Sequence, residues 1–442
     1  MALAISDVSL RARRRIAIRL LPFVLLMYVV CYVDRINVAF ANLRMSADLG
    51  FADRVYAIGV GMFFVGYVVF EVPGAIIVER WSARKWIARI MLSWGVMTIL
   101  TGFIQTPRQF YIVRLLVGLS EASFFPGIIV YLTHWFRASD RAKAIGFFYI
   151  GSPGASVAGS LIAGWLLGVR WIGLAGWRWL FIMEGIPPII LGIIALFYLT
   201  DWPSQARWLA ADERDWITQE LEREKREKKA VQNYSIWQAF RDRRVILLIL
   251  AWLASLTAFL SASYWLPTFI KRMSHLPDTK VALLASLPGV AGILAMVLNG
   301  WHSDRTGERR WHAALPLAGA GMCFLMVRTG GQFAISMALF CVGLALYYAF
   351  LPVMWTMPTL ILCESAAAAC FGLINSVGQI GGVTGPYIVS YLNEKTGSLA
   401  PSFLFIATGF LLAGGILSFI RIKDAVTAPS ATMLERQNAE QA

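Results

Sequence analysis

Two charged stretches lie at matching places in the two halves of the chain. They are "GWHSDRTGERR" at residues 300–310 and "AIIVERWSARK" at residues 75–85. Each follows the second long apolar segment of its half and leads into the third. A charged pattern that recurs at one place in both halves indicates an internal duplication. We therefore expect two structural repeats.

The composition indicates a membrane protein. Of the 442 residues, 58% are hydrophobic and 15% are charged, whereas soluble domains average about 45–50% apolar and about 25% charged residues. The formal net charge of +14 does not imply a nucleic-acid partner, because membrane proteins collect Lys and Arg in the loops on one side of the bilayer. We expect an all-α, multi-pass membrane protein.

A helix needs about 20 apolar residues to cross a bilayer, and the sequence contains about twelve such segments. We expect two pseudo-symmetric six-helix bundles at 1–200 and 245–421, joined by a polar linker at 201–244 and followed by a tail at 422–442. The charges of the linker predict a solvated amphipathic helix. The expected spans are 20–42, 56–78, 86–105, 110–134, 144–167, 178–200, 245–270, 280–302, 313–328, 334–362, 368–392 and 402–421.

The loops differ in charge on the two sides of these spans. "RARRR", "ERWSARKWIAR", "RASDRAK", the linker, "HSDRTGERR" and "RIKD" fall on one side, and shorter, less basic loops such as "QTPRQ" and "NEKTG" fall on the other. The positive-inside rule then places both termini and the linker in the cytoplasm. No cleavage site follows the basic N-terminus, which we interpret as a retained tail in a bacterial inner membrane.

The five cysteines predict no shared chemistry. They lie in or at the ends of apolar segments, without a CxxC pattern or a Cys/His cluster. We therefore expect neither a disulfide framework nor a metal site, and no cofactor. The cysteines are Cys31, Cys323, Cys341, Cys363 and Cys370.

The charged stretch at 300–310 resembles the G-x-x-x-D-R-x-G-R-R signature of the major facilitator superfamily. The first copy departs from it at Glu79 and Ser82. Within the superfamily the chain resembles the anion:cation symporter family, and more closely its tartrate-, phthalate- and hydroxyphenylacetate-type permeases. That resemblance rests on the Y-x-D-R-x-N pattern from Tyr32 to Asn37 and on "FFVGYVVFEVP", "ARKWIARIMLSWG", "RLLVGLSEASFFPG" and "GLINSVGQIGGVTGP". It implies the major facilitator fold.

Charged residues are rare within the expected spans, where each costs at least ~2.5 kcal/mol. Asp34 and Arg35 lie in span 1, and Arg114 and Glu121 lie two helical turns apart on one face of span 4. An Arg can bind a carboxylate through two hydrogen bonds, and a neighbouring acid can occupy that Arg until it is protonated. The alternative is a pair of purely structural salt bridges. The resemblance implies substrate binding by Arg35, with proton coupling through Asp34 and Glu121.

Further residues are candidates for contact with a substrate. The resemblance implies that Tyr67 reaches the substrate and that Trp355 lines the cavity. Asn375, with Gln379 one turn on, is an amide in a glycine-rich span, and Arg114 is a second basic contact. For each, ordinary packing or helix–helix bonding is the alternative. We expect a midplane cavity lined by spans 1, 2, 4, 5, 7, 8, 10 and 11.

The charged loops are interpreted as conformational locks. Asp304 with Arg305, and Glu79 with Arg80 and Arg84, have the charges to pair across helix ends and to favour one of two states. Glu71 lies toward the same end of span 2, and we interpret it as part of this gate. Glu184 is interpreted as structural.

These features favour a proton-coupled importer of small organic anions such as tartrate, sugar acids or aromatic carboxylates. The fold requires no partner subunit, so we expect a monomer in contact with membrane lipid. The alternative is an exchanger or exporter of other solutes, such as drugs, although two central Arg residues suit anions better. An enzyme would need a nucleophile–base pair or a metal cluster in the spans, and the sequence contains neither. The sequence leaves open which carboxylate is carried and whether protons or sodium ions drive it.

Overall fold

The structure is a computed structural model that describes residues 2–230, 242–328, 332–361 and 364–420. These residues form helices and connecting loops, without a strand among them. The helices of the N-terminal half are α1 (Ala2–Leu49), α2 (Asp53–Arg80), α3 (Ala83–Thr101), α4 (Pro107–Glu121), α5 (Phe124–Thr133), α6 (Ala138–Tyr149), α7 (Gly151–Leu166) and α8 (Gly176–Tyr198). The rest are α9 (Ala211–Ala230), α10 (Arg243–Ser274), α11 (Asp278–Thr306), α12 (Arg310–Arg328), α13 (Phe333–Ile361), α14 (Glu364–Thr396) and α15 (Ala400–Ser418).

The helices form twelve spans, as the sequence predicts. Helices α4 and α5 together make the fourth span, α6 and α7 make the fifth, and α9 lies between the bundles in sequence. Within the described residues, nine stretches contain a window apolar enough to cross a bilayer. The other three spans, α3, α12 and α14, are helices of at least 19 residues that pack inside the bundles.

The two bundles repeat the same packing. In the first, α3 packs on α8, α2 on α4 and α1 on α7; in the second, α12 packs on α15, α11 on α13 and α10 on α14. When the six spans of each half are numbered in chain order, span 3 packs on span 6, span 2 on span 4 and span 1 on span 5 in both halves. Between the bundles α7 contacts α11 and α2 contacts α14, and these contacts exchange under the same two-fold relation. This is the geometry of parallel repeats, with the interface between them available for a site.

Glycine permits the closest of these approaches. A Cβ atom on Gly118 of α4 would lie 1.9 Å from the carbonyl oxygen of Phe63 on α2. One on Gly66 of α2 would lie 2.3 Å from the carbonyl oxygen of Leu115 on α4. Small residues let membrane helices pack backbone to backbone, where apolar burial provides no driving force between helices.

The fourth span is broken, which the prediction of one helix over 110–134 did not anticipate. Helix α4 ends at Glu121, and Ser123 has a left-handed backbone with φ of 67°. Pro126 has no N–H to bond the carbonyl of Ala122, and the Ser123 hydroxyl donates to that carbonyl instead. The fifth span is also divided, between α6 and α7, and Pro153 is the third residue of α7, but Ile150 at this division keeps a right-handed helical backbone.

Helix α9 packs on the N-terminal bundle, so the expected solvated linker helix is corrected to one with a buried face. Ile217 is 1% exposed within the apolar core of that bundle. Arg15 binds Glu213 at 2.7 Å, and Arg137 binds Glu220 at 3.3 Å. We call this side of the molecule the linker side. The opposite side, which holds the α1–α2 and α10–α11 loops, is called the far side.

Candidate functional site

A cavity lies between the two bundles. Its walls come from α1, α2, α5, α6, α7, α10, α11, α13 and α14. These helices belong to spans 1, 2, 4, 5, 7, 8, 10 and 11, so the predicted lining is confirmed. Most of the lining is aromatic or aliphatic. Among the described residues that line it, Arg35 alone carries a formal charge.

Arg35 is paired with an acid behind the cavity wall. Its Nε donates to Oε1 of Glu121, and the Cys31 thiol donates to the same oxygen at 3.2 Å. The guanidinium carbon lies 4.7 Å from the centre of the Tyr67 ring. Neither Nη group of Arg35 is seen to bond within the described residues. Because Glu121 uses the Nε edge, the outer end of the guanidinium remains for an anion.

Asp34, the neighbour of Arg35 in sequence, belongs to a second polar cluster. Its Oδ1 accepts from Asn37 Nδ2 at 2.9 Å, and its Oδ2 accepts from the Thr98 hydroxyl on α3 at 3.0 Å. Asp34 is 1% exposed. The adjacent residues Asp34 and Arg35 therefore bond to different partners, Asp34 to Asn37 and Thr98 and Arg35 to Glu121.

Arg114 does not reach the cavity lining. It is 2% exposed, and its guanidinium carbon lies 4.9 Å from the ring centre of Phe63. Two of its nitrogens, Nε and Nη2, have no hydrogen-bond partner in the part of the chain that the structure describes. Arg114, the expected second basic contact with substrate, is thus not among the described side chains that line the cavity.

The other predicted contacts all line the cavity. Tyr67 is 1% exposed, and its hydroxyl has no bonded partner within the described residues. Trp355 of α13 stacks on Tyr149 with ring centres 5.9 Å apart. Asn375 and Gln379 face the cavity from α14, but the amide of Asn375 also donates to Glu71. The cavity therefore joins side chains from both bundles around Arg35.

The sequence pattern that defines the Major Facilitator Superfamily matches residues 24–386. The chain belongs to this superfamily. It is 41% identical over 423 residues to an Agrobacterium vitis protein named "Putative tartrate transporter", covering 95% of this chain and 96% of that protein. It is 36% identical over 409 residues to the "Quinolone resistance transporter" of Acinetobacter baumannii, covering 92% and 94%. The xylose transporter XylE from E. coli, in a partially occluded inward open conformation, shares the fold at a TM-score of 0.71 and 14% identity, covering 93% and 99%.

As a member of the superfamily, the protein is an integral membrane transporter and not an enzyme. The described residues contain no cluster of His, Cys, Asp and Glu arranged to hold a metal ion. The transport site therefore has to be made from the cavity walls and the buried polar groups behind them.

The charged loops make contacts within their own halves of the transporter. Asp304 pairs with Arg309 at 2.7 Å, while the Arg305 guanidinium lies 5.5 Å from the Trp301 ring centre. The backbone N–H of Arg84 donates to Asp201 at 2.9 Å. The side chains of Glu79 and Arg80 lie outside the described residues. A locking role for these five residues stays a prediction.

Two further acids, expected in the gate and in a structural role, are buried. Glu71, expected in the loop gate, instead bonds to α14 through Asn375 and Ser376. Glu184 on α8 is 5% exposed and neighbours Asp34 and Asn37. The bonding partners of Glu71 are thus residues of the opposite bundle.

Sequence reasoning missed several members of this site. Thr98 is a hydroxyl residue within the apolar third span, and Cys31 lies one turn before Arg35 on the same face of α1. Tyr149 and Trp252 line the cavity beside Trp355. Polar atoms in mid-span were the available signal, because such groups in a membrane normally face the protein interior.

Proposed function

We propose that this transporter carries small organic anions and binds their carboxylate at Arg35. The observation that carries the proposal is the Arg35–Glu121 pair, which presents a guanidinium to the cavity and keeps its counter-charge behind the wall. An arginine fork suits a planar carboxylate. Tyr67, Asn375, Gln379 and Trp355 supply hydrogen-bonding groups around it. The relative named for tartrate supports this class of substrate.

We further propose that protons drive uptake through Glu121, with Asp34 as a second proton site. Substrate and Glu121 compete for Arg35, so protonation of Glu121 frees the guanidinium for the anion. By thermodynamic linkage, anion binding then favours protonation to the same extent. Moving an anion into a negative-inside cell costs about 2.3 kcal/mol per charge per 100 mV. One proton per monoanion removes that cost, and a second makes the potential drive uptake.

The direct test is uptake by purified protein in liposomes. Labelled tartrate, a sugar acid and an aromatic carboxylate are offered under an inward proton gradient, under a sodium gradient, and with neither. We expect concentrative uptake of at least one acid with the proton gradient alone. Uptake that follows sodium, or none for any acid, would contradict the proposal.

A second candidate is an exporter of aromatic solutes. Its support is the aromatic cavity wall, with Trp355 stacked on Tyr149 and 4.9 Å from Trp252, together with the relative named for quinolone resistance. Accumulation assays on cells that overproduce the transporter distinguish export from import. Export predicts quinolone accumulation below that of control cells, while import predicts unchanged quinolone levels and faster carboxylate uptake.

We propose that the linker side faces the cytoplasm of a bacterial inner membrane. The basic residues near α9, including Arg11, Arg13 and Arg15, support this orientation through the positive-inside rule. A cysteine placed at exposed Lys85 should react with a membrane-impermeant maleimide only in inside-out vesicles. Labelling of this cysteine in intact cells would show that the linker side faces outward and would contradict the proposed orientation.

A further inference from the structure

Glu71 connects the two bundles between the cavity and the linker side. It lies one helical turn beyond Tyr67 on α2, which runs from the far side at Asp53 toward the linker side. Its Oε1 accepts from Asn375 Nδ2, and its Oε2 accepts from the Ser376 hydroxyl at 2.7 Å. Both donors belong to α14. One carboxylate therefore bonds to the opposite bundle through both of its oxygens.

This contact depends on the bundles staying together. Glu71 is 2% exposed, and the described residues give it no ion-pair partner. A carboxylate at this depth is tolerated when its oxygens are hydrogen-bonded and is costly when they are not. Transport in this fold requires one bundle to rock against the other. Opening the linker side would pull α2 from α14 and remove both donors from Glu71.

One of the two donors also belongs to the cavity. Asn375 lines the cavity wall while its amide nitrogen is bonded to Glu71. An anion that binds the second hydrogen of that amide brings another negative charge next to the Glu71 carboxylate. Two negative charges that share the Asn375 amide repel each other strongly where water is excluded. Binding of the anion and closure of the linker side are therefore antagonistic at this one side chain.

We propose that Glu71 is a latch that holds the linker side closed through Asn375 and Ser376, and that an anionic substrate releases it by binding at Asn375. The release step rests on the proposed carboxylate recognition, whereas the latch itself does not. Glu71 thereby becomes a residue that converts occupancy of the cavity into bundle movement. It acts through Asn375 without touching the substrate.

The latch is testable without any substrate. Spin labels on Lys85→Cys and Thr306→Cys, two exposed linker-side positions of opposite bundles, report the distance between the bundles in full-length protein whose five native cysteines are replaced by alanine. Glu71→Ala and Asn375→Asp should each raise the ratio of long to short distances about tenfold, which corresponds to loss of a hydrogen bond to a charged group. The reciprocal double variant Glu71→Gln with Asn375→Asp places the amide on α2 and the acid on α14, and should restore the parent distribution.

A matched control removes a similar bond that does not cross the interface. Ser390 donates to Glu394 at 3.3 Å within α14, so Ser390→Ala should leave the distances unchanged. The latch is refuted if Glu71→Ala keeps the parent distribution, or if the double variant stays as open as Asn375→Asp alone. Because the double variant keeps both hydrogen-bonding groups, its result separates latch loss from misfolding.

The release step is tested by adding tartrate, or the acid that the liposome panel shows to be carried, to the same labelled proteins. The parent should shift toward long distances, and Glu71→Ala, already open, should change little. If the parent carries the acid but its distances stay fixed, substrate release of the latch is wrong. If no acid is carried or bound, the proposed function fails, and the variants without substrate still decide whether Glu71 is a latch.

Discussion

Arg35 on α1 donates its Nε hydrogen to Glu121, the last residue of α4. Arg35 is 8% exposed and Glu121 is fully buried. The second oxygen of Glu121 has no hydrogen-bond partner within the described residues. Since the fourth span breaks immediately after Glu121, the turn through Ala122 and Ser123 sets where this carboxylate lies. The pair therefore depends on a local backbone feature as well as on charge.

Replacing Arg35 should abolish carboxylate transport. We expect Arg35→Ala to lower the initial rate of tartrate uptake at least 100-fold, and Arg35→Lys to fail as well, because an ammonium group lacks the planar fork. Either change also affects stability: removing one partner of a buried pair costs about 3–5 kcal/mol. The measurement is uptake in liposomes together with thermal unfolding in detergent.

A double variant separates these two effects. Arg35→Gln with Glu121→Gln removes both charges at once, so much of the lost stability should return, since no unpaired charge stays buried. Uptake should remain absent. Normal uptake by Arg35→Ala, or by the double variant, would exclude Arg35 as the carboxylate ligand.

The sequence predicted the twelve spans and the cavity walls because both depend on patterns that extend along the chain. Apolar length sets the spans, and the duplicated charged loop sets the repeat. The break after Glu121 was missed because it depends on one left-handed serine and one proline. Membrane helices often tolerate proline without breaking, so Pro126 alone gives no reliable signal.

The bonding partners of the buried charged residues were harder to predict from the sequence than the spans were. Asp34 and Arg35 are adjacent in the sequence, yet successive helical residues point about 100° apart, and each finds a partner on α3 or α4. Glu71 was assigned to the nearby loop because its partners are 304 and 305 residues away in the other repeat. Contacts between the bundles are set by their docking, which no local pattern encodes.

Ion pairs join the two bundles on the far side. Asp53 at the start of α2 binds Arg272 near the end of α10 at 2.5 Å. Arg272→Asp puts two acids together and should raise the open fraction of the far side about two- to fivefold, the range expected for a partly exposed pair. Spin labels at exposed positions 52 and 280 measure that fraction. Asp53→Arg with Arg272→Asp should restore it, and an equally open double variant would contradict the assignment.

Glu308, in the loop between α11 and α12, should make stability pH-dependent. Partial burial raises the pKa of this carboxyl, but hydrogen bonds from the Trp311 and His312 backbone and from the His312 ring lower it more, so the folded-state pKa is depressed. Such a group stabilises the fold above its unfolded pKa of about 4.3, and the contribution is lost as the pH falls through the folded value. Because the side chain is 35% exposed, we expect Glu308→Gln to lower Tm at pH 7 by no more than about 2 °C.

The pH series checks the sign of this effect. The Tm difference between parent and Glu308→Gln should narrow as the pH falls from about 4.3, the unfolded-state pKa, through the lower folded-state pKa. Glu222→Gln, which changes an exposed acid of α9, is the control and should show no such trend. A difference that grows as the pH falls would show that the bonds to Trp311 and His312 do not stabilise the charged form of Glu308.

Glu121→Gln should separate exchange from proton-driven accumulation. The amide mimics a protonated carboxyl, so Arg35 is released from its counter-charge and the anion still binds. Liposomes loaded with unlabelled tartrate should therefore exchange it for labelled tartrate at a rate within a few-fold of the parent. Accumulation against a gradient needs a group that gains and loses a proton in each cycle, and this variant should lose it. Asp34→Asn, which changes an acid bonded to Thr98 and Asn37, should also lose accumulation.

Paired assays of exchange and of gradient-driven uptake, each with and without sodium, measure both properties on one preparation. If Glu121→Gln accumulated tartrate as well as the parent, Glu121 would not be the coupling residue. If accumulation by the parent required sodium, protons would not be the coupling ion, but Arg35 would not be excluded as the carboxylate ligand.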